Sequence, residues 1–294
     1  MENYTYQNLY TAAKNAIRKV DGAQMAEFTA RELVAAATDR TVGQLVADFQ
    51  LTVFSRDIEK VQAMVERYLK GEPLAYILGQ WNFYGLDLTV SRDVLIPRDD
   101  TEAVTDLAIS KARVLPQNPR VLDLCAGSGC IGLAIAAKVK DARVTLGELS
   151  PEAIRIAKKN IQDNHLSGRV SCIRLDVMEE PPKFLGKYDL IVSNPPYITA
   201  EQMEELDPSV KEYEPPMALY GGKDGLDFYR AIVKNYGPLL KPGKYICFEF
   251  GMGQEDDVCQ ILMEHGYELQ KLVRDSGERA RAVLAKKPSG PEDS

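Results

Sequence analysis

Asn194, Pro195, Pro196 and Tyr197 directly follow the apolar run YDLIVS, and their order carries chemistry. Two successive prolines cannot continue a central strand, so the chain must turn stiffly there. A rigid loop explains the prolines, but not why an amide and an aromatic ring bracket them at a strand's carboxyl end. A planar amide or aromatic amine keeps its nitrogen lone pair in conjugation, which makes it a poor nucleophile toward a methyl sulfonium. Two fixed acceptors, the Asn194 side-chain oxygen and the Pro195 carbonyl, would hold both N–H bonds and aim the nitrogen at the methyl group. Tyr197 would stack against the planar group, and no general base need act before transfer. The histidines agree: neither His165 nor His265 stands in a metal-ligand spacing or beside a nucleophile, and no metal is expected.

A second constellation is Asp123-Leu124-Cys125-Ala126-Gly127-Ser128-Gly129, a glycine-containing turn between a strand and a helix. Glycines there let a ligand approach the backbone, and open α/β sheets bind ligands at the carboxyl ends of their strands. A tight turn with no ligand is the competing account. The next strand, RVTLGEL, ends in Glu148, placed to accept from both ribose hydroxyls of a nucleoside. The glycines do not complete G-x-G-x-x-G and no Lys-Ser/Thr pair follows, so an adenosyl ligand without phosphates fits better than a nucleotide. Asp176 in RLDVM is a candidate partner for an adenine amino group, with Val177 on the ring; a solvated loop aspartate competes with that reading.

Such turns need a parallel sheet behind them. After Arg120, strands and helices alternate through VLDLC, IGLAIAAKV, RVTLGEL, PEAIRIAKKN, VSCIRL and YDLIVS, which implies βαβ units and a sheet covered on both faces. Ser150 and Pro151 supply an N-cap and a first-turn proline, while KYICFEF, YELQKLVRD and RARAVLAKK read as further strands. Upstream, Leu9, Ala13, Ile17 and Val20 recur at helical spacing, Thr41 and Ser55 are candidate N-caps, and a helix through Ile58, Val61, Val65 and Leu69 ends at Gly71 and Pro73. That region reads as a helical bundle. Between the two, GQWNFYGLDLTVSRDVLIPR alternates around Gly85 as a β-hairpin connector, followed by a helix from Thr101 to about Arg113.

At 294 residues, 45% hydrophobic and 27% charged, the chain is long enough for two domains. A net charge of −7 gives no reason to expect a nucleic-acid backbone as the main partner; a folded protein fits better. Cys125, Cys130, Cys172, Cys247 and Cys259 are scattered without Cys-x-x-Cys and read as reduced. With no run near the roughly 18 apolar residues of a membrane span and no signal-like start, the expectation is a cytoplasmic protein without a membrane partner.

The Asp-x-x-x-Gly-x-Gly turn, the acidic end of the next strand and Asn-Pro-Pro-Tyr together resemble a class I S-adenosylmethionine methyltransferase acting on amino or amide nitrogen. More narrowly, GEPLAYILGQWNFYGLDLTVSRDVLIPRDDTE, SNPPYI and EPPMALYGGKDGLDFYR resemble the protein-(glutamine-N5) methyltransferase (PrmC/HemK) family, which modifies peptide chain release factors; the match covers nearly the whole chain. The resemblance implies an α/β, Rossmann-like catalytic domain with a seven-stranded, mostly parallel sheet whose last strand is antiparallel. It implies a helical domain over 1–73 that grips the release factor, a hairpin linker over 74–98 and catalysis over 99–287, while the composition of KPSGPEDS gives the expectation of a disordered tail over 288–294. S-adenosyl-L-methionine would be the methyl donor, and the target the side-chain amide nitrogen of glutamine in a Gly-Gly-Gln motif.

Carried over by position, Cys125, Ala126, Gly127, Ser128 and Gly129 form the cofactor loop, Glu148 holds the ribose, and Asp176 and Val177 flank the adenine. Asn194, Pro195, Pro196 and Tyr197 hold the substrate amide, with Asn194 also beside the cofactor. Arg98, Thr101 and Glu102 of PRDDTE have a supporting role at the substrate mouth; an ion pair of Arg98 with Glu102 bracing the linker is the alternative. Asp99-Asp100 stands where the family more often has Pro-Glu, Cys125-Ala126 where Gly-Thr is commoner, and Glu148 where Asp is commoner. Competing substrates are a ribosomal-protein glutamine and, through the shared Asn-Pro-Pro-Tyr, the N6 of adenine in nucleic acid. A binding module without catalysis is disfavoured by the intact Asn-Pro-Pro-Tyr.

Overall fold

The computed structural model describes residues 4–274 and 279–289. Two compact units emerge, one of residues 1–80 with 207–213, the other of 81–206 with 214–294. Helix α1 (Tyr6–Ile17) begins with a capping box: the Thr5 hydroxyl accepts from the Asn8 N–H, and the Asn8 side chain accepts from the Thr5 N–H. Helices α2 (Ala23–Ala37), α3 (Val42–Ala47), α4 (Ser55–Leu69) and α5 (Leu74–Leu78) complete the first unit, α3 being capped reciprocally by Thr41 and Gln44. Tyr6, Leu9, Ala13 and Ile17 share one buried cluster with Ala30, Leu33 and Val65, as helical spacing predicts, whereas Val20, expected on the same face, lies beyond the end of α1 and is exposed. Ser55, expected as an N-cap, instead opens α4: Phe54 takes the extended cap position and makes no side-chain cap bond.

The boundary at residue 80 falls inside the expected 74–98 connector. Helix α5 occupies its first part, because the alternation that marks the hairpin begins only at Trp81. The hairpin pairs β1 (Gln80–Phe83) with β2 (Leu86–Thr89) through Tyr84 and Gly85, both at positive φ as a two-residue turn requires.

In the second unit α6 (Thr101–Ala112) precedes β3 (Arg120–Leu124), α7 (Cys130–Lys138), β4 (Arg143–Glu148), α8 (Pro151–Asp163), β5 (Val170–Arg174) and β6 (Tyr188–Ser193). Then come α9 (Ala200–Glu205), α10 (Pro208–Lys211, grouped with the first unit), α11 (Asp227–Ala231), β7 (Leu240–Glu249), α12 (Glu255–Glu264), β8 (Glu268–Arg274) and β9 (Ala280–Lys286). The short helices α9 to α11 have no counterpart in the sequence reading, since none is long enough to show a period. The seven strands order as β5-β4-β3-β6-β7-β9-β8; the five from β5 to β7 run parallel, and β9 is antiparallel to both neighbours.

Both faces of the sheet are covered. Val121, Leu190 and Val192 pack with α6, α7 and α8 on one side, whereas Leu122, Ile191 and Phe248 pack with Tyr229, Tyr236 and Leu262 on the other, which is why these strands read as continuous apolar runs. Among the described residues no helix is long and apolar enough to cross a membrane. Asp275, expected to close the strand YELQKLVRD, and the part of the expected tail beyond residue 289 lie outside the described residues.

Asp123 is the polar exception inside β3. Its Oδ2 accepts from the Gly132 N–H of α7 (2.8 Å), its Oδ1 has no hydrogen-bond partner, and burial pushes its carboxyl up to about 7. The folded chain therefore holds a proton that the unfolded chain has released, and this contribution to stability is lost as pH rises through about 7. Urea unfolding of wild type and Asp123→Asn at pH 5 and pH 8 checks this: relative to wild type, the variant gains about 2–3 kcal/mol on going to the higher pH.

Candidate active site

The chain runs outward from β3 to β4 and β5, then returns to place β6 on the other side of β3. That reversal opens a crevice beyond the carboxyl ends of β3 and β6, the place where open α/β sheets bind ligands. Here lies a cleft lined by Cys125 and Gly127 after β3, Glu148 at the end of β4, Asp176 and Val177 after β5, and Asn194 and Pro196 after β6. The Ser193 hydroxyl donates to the Leu124 carbonyl (2.6 Å), tying the two strand ends together at the floor.

Cys125, Gly127 and Gly129 take positive φ of 57°, 54° and 84°, so the loop after β3 rises through three left-handed residues. A Cβ on Gly127 would meet nothing within 4 Å, so bare backbone borders open space along the cleft. Cys125 in that conformation carries a strain that glycine would lack. Burial pushes its thiol well up, so it stays protonated and is no nucleophile. The other three residues of the loop turn away from the cleft. Ala126 packs in the core, the carbonyl of buried Ser128 accepts from Asn160 (2.9 Å), and Gly129 opens α7 where a Cβ would stand 2.8 Å from Leu146.

Glu148 is pinned by the chain itself. Its Oε2 accepts from the Gly127 N–H (2.8 Å) and its Oε1 from Leu149 and Ser150 (2.8 and 2.9 Å). A carboxylate offers about four acceptor directions, so one remains for a ligand hydroxyl where the sequence reading expected two. Asp176 spends Oδ1 on the Met178 N–H (2.9 Å), and its carbonyl and that of Val177 accept from Tyr236 and Asn235, which lie on a π-helical turn after α11. An adenosyl ligand fits this wall: oriented carboxylates, an apolar side chain and exposed backbone, without a built phosphate cradle.

Asn194 leaves β6 with its Nδ2 donating to the Thr101 hydroxyl (3.3 Å) at the start of α6. This turns the carboxamide oxygen away from Thr101. Pro195 is buried behind Asn194, and Tyr197 is half-buried, its phenol pushed up to about 12 chiefly by burial. Three glycines make room for the loop: a Cβ on Gly221 would lie 2.6 Å from the Pro196 oxygen, on Gly225 2.3 Å from the Tyr197 oxygen, and on Gly251 2.8 Å from the Tyr197 ring. Gln254 clamps it, donating from Nε2 to the Tyr197 carbonyl (3.0 Å) while its Oε1 accepts from the Gly251 N–H (2.9 Å). Glu249, at the end of β7, is buried with Oε2 lacking a partner, and its carboxyl is pushed up to about 8 by burial.

Arg98 and Glu102 do not line the cleft, and the ion pair considered between them does not form. Arg98 pairs with buried Glu214, which also accepts from the Ile96 N–H, while Glu102 is exposed in the first turn of α6. Asp100 pairs with Arg281 (3.1 Å). The Glu214 contacts join the segment before α6 to the one carrying Pro215, and Val94, Leu95, Pro215, Met217 and Phe228 complete the wall of the cleft. Sequence reasoning assigned none of these a role, although TVSRDVLIPR and EPPMALYGG were already distinctive blocks. Among the described residues no group of acidic, histidine or cysteine side chains is arranged to hold a metal ion.

Comparison with known proteins agrees with this geometry. Residues 101–207 match the methyltransferase small domain family and residues 9–79 the PrmC N-terminal domain. A release factor glutamine methyltransferase of Clostridium acetobutylicum is 42% identical over 216 residues, covering 74% of this chain and 75% of the relative. Another from Agrobacterium fabrum is 37% identical over 257 residues, covering 86% and 88%. Among solved structures, a methyltransferase from Pyrococcus furiosus has a TM-score of 0.52 at 18% identity, covering 76% of this chain and 97% of that one, a likeness of fold alone.

The glycine at 221 faces backbone, which cannot yield without moving the Asn-Pro-Pro-Tyr loop. Gly221→Ala is therefore expected to lower stability by about 1–3 kcal/mol in urea unfolding. Gly168→Ala, where a Cβ meets nothing within 4 Å, serves as the neutral control.

Proposed function

Because this chain belongs to the release factor glutamine methyltransferase family, we propose that it transfers a methyl group from S-adenosyl-L-methionine to the side-chain amide nitrogen of the glutamine in the Gly-Gly-Gln motif of peptide chain release factors. The observation that carries this reading is the seat of Asn194: its carboxamide reaches the cleft from β6, held by its nitrogen end, across from Glu148 and Gly127.

When bound, S-adenosyl-L-methionine would supply an electrophilic methyl group: the N–CH3 bond forms as the S–CH3 bond breaks, S-adenosyl-L-homocysteine leaves, and the nitrogen gives up one of its two protons to solvent. Gly127, Glu148, Asp176 and Val177 hold its adenosyl part, with Cys125 beside them. The Asn194 oxygen and the Pro195 carbonyl accept the two N–H bonds of the substrate amide, fixing the plane of the nitrogen. Tyr197 stacks against that plane, and its raised pKa keeps the phenol neutral. Catalysis thus comes from orientation: a delocalised lone pair is weak, and fixed acceptors that need not reorganise make the most of it. Pro196, Met217 and Phe228 limit water around the reacting nitrogen. Arg98, through Glu214, braces the wall from which Pro215 and Met217 project, and Glu102 lies outside that wall. The helical unit, whose residues match the PrmC N-terminal domain, docks the release factor.

Asn194→Ala is expected to lower the rate of methyl transfer at least about 100-fold, as losses of a single oriented polar group in an active site do, with S-adenosylmethionine affinity changed less than about fivefold. Labelled-methyl transfer to purified release factor, beside a Gly-Gly-Ala copy, checks it, with mass spectrometry locating the mark. Modification of the altered copy, or wild-type turnover by the variant, overturns the reading. Transfer to a ribosomal protein in place of the release factor would reassign the substrate.

A further inference from the structure

Glu249 is a buried carboxyl that the mechanism above does not use. It stands one residue beyond the Phe248–Ser193 pairing that closes the β6–β7 ladder, level with Asn194. The Thr101 hydroxyl and the Asn194 carboxamide face its carboxyl and favour its charged form, yet among the described residues Oε2 has no hydrogen-bond partner. Asp100 from the start of α6, Arg281 from β9, Tyr197 from the loop after β6 and Cys130 at the start of α7 are the other titratable or charged groups around it. On α11, the Tyr229 hydroxyl donates to the Glu249 carbonyl (2.9 Å). A buried acceptor left unpaired is costly, and an apolar side chain would avoid that cost.

The asymmetry of the Asn194 carboxamide gives Glu249 something to do. A flip about its last torsion exchanges the oxygen for an NH₂ group, and an NH₂ facing the substrate amide would set donor against donor. Thr101 alone cannot prevent this, because a hydroxyl both donates and accepts and so tolerates either end of the carboxamide. An ionised carboxyl only accepts. We propose that Glu249 is a positioning residue for methyl transfer: together with Thr101 it holds the nitrogen end of Asn194, so that the oxygen end faces the substrate nitrogen. The inference rests on the role given to Asn194 above.

A protonated Glu249 can donate and loses this discrimination. Its carboxyl is raised to about 8, so the transfer rate constant rises with pH through that value. A glutamine at 249 mimics the protonated form, offering a donor and an acceptor at every pH.

Two readouts test the proposal on the full chain. The first needs no release factor: the side-chain ¹⁵N–¹H signals of Asn194, identified by their loss in Asn194→Ala, are followed from about pH 6 to about pH 10. They should shift with an inflection near 8 in wild type and show none in Glu249→Gln. The second is single-turnover transfer to the release factor, where wild type should gain about tenfold across the same inflection while Glu249→Gln lacks the rise. Thermal melting at the alkaline end should find the variant as stable as wild type or more so, since a buried carboxylate has been removed; a slower yet equally stable variant separates positioning from folding. Asn194 signals that do not titrate in wild type overturn the proposal, whatever the variant does. So does a Glu249→Gln enzyme with the wild-type rate and pH profile. If the signals titrate through Glu249 but no methyl reaches the release factor, the hold on Asn194 stands and the substrate reading fails.

Discussion

Pro195 and Pro196 have no N–H to give a sheet ladder, and that constraint organises the site. The chain leaving β6 makes no ladder bond at either proline and regains backbone pairing at Ile198, whose N–H donates to the Leu219 carbonyl and whose carbonyl accepts from the Gly221 N–H (2.9 Å each); between these points side chains and close contacts hold it. Gln254 grips the Tyr197 carbonyl, Gly221 and Gly225 let the loop's backbone approach closer than a Cβ would allow, and Gly251 does the same for the Tyr197 ring. The loop is thus held from the segment before α11 and from the end of β7, and Asn194 is held from the start of α6. A rigid loop between rigid walls is what a reaction limited by the orientation of a weak nucleophile needs.

Three acidic side chains around the same crevice show how backbone supply decides the fate of a carboxyl. Glu148 receives three N–H groups. Asp123 receives one, and its carboxyl is raised by burial. Glu249 has side-chain donors, Thr101 and Asn194, in place of backbone N–H groups, and is raised by burial as well. The residue best supplied with donors is the one that lines the cleft; the two poorly supplied are buried away from its lining, where a partly satisfied carboxyl costs stability.

The alternation of strands and helices after Arg120, the capped start of α8 at Ser150 and Pro151, and the antiparallel final strand were legible because each rests on local pattern or resemblance. The short helices between β6 and β7 were not. Their four to six residues complete too few turns for a period to show, and packing rather than propensity forms them. Ser55 was misplaced by one position because Phe54 caps by conformation alone. The pairing of Arg98 with Glu214 spans more than a hundred residues and leaves no trace in local spacing.

Backbone restrictions and the donors and acceptors within a few bonds made a stiff turn at Asn194-Pro195-Pro196-Tyr197, a glycine turn after Asp123 and an acid closing β4 legible in the sequence, and the resemblance these carry supplied the expectation of a nitrogen-methylating chemistry on an adenosyl-binding sheet. Tertiary structure alone decided which atoms of those residues remain available. It turned Ala126, Ser128 and Gly129 inward, used three of the acceptor directions of Glu148 on the chain's own N–H groups, and brought Thr101 and Glu249 against Asn194. The physical reason is that hydrogen-bond capacity is finite, and how it is shared depends on partners that only folding brings within about 3 Å.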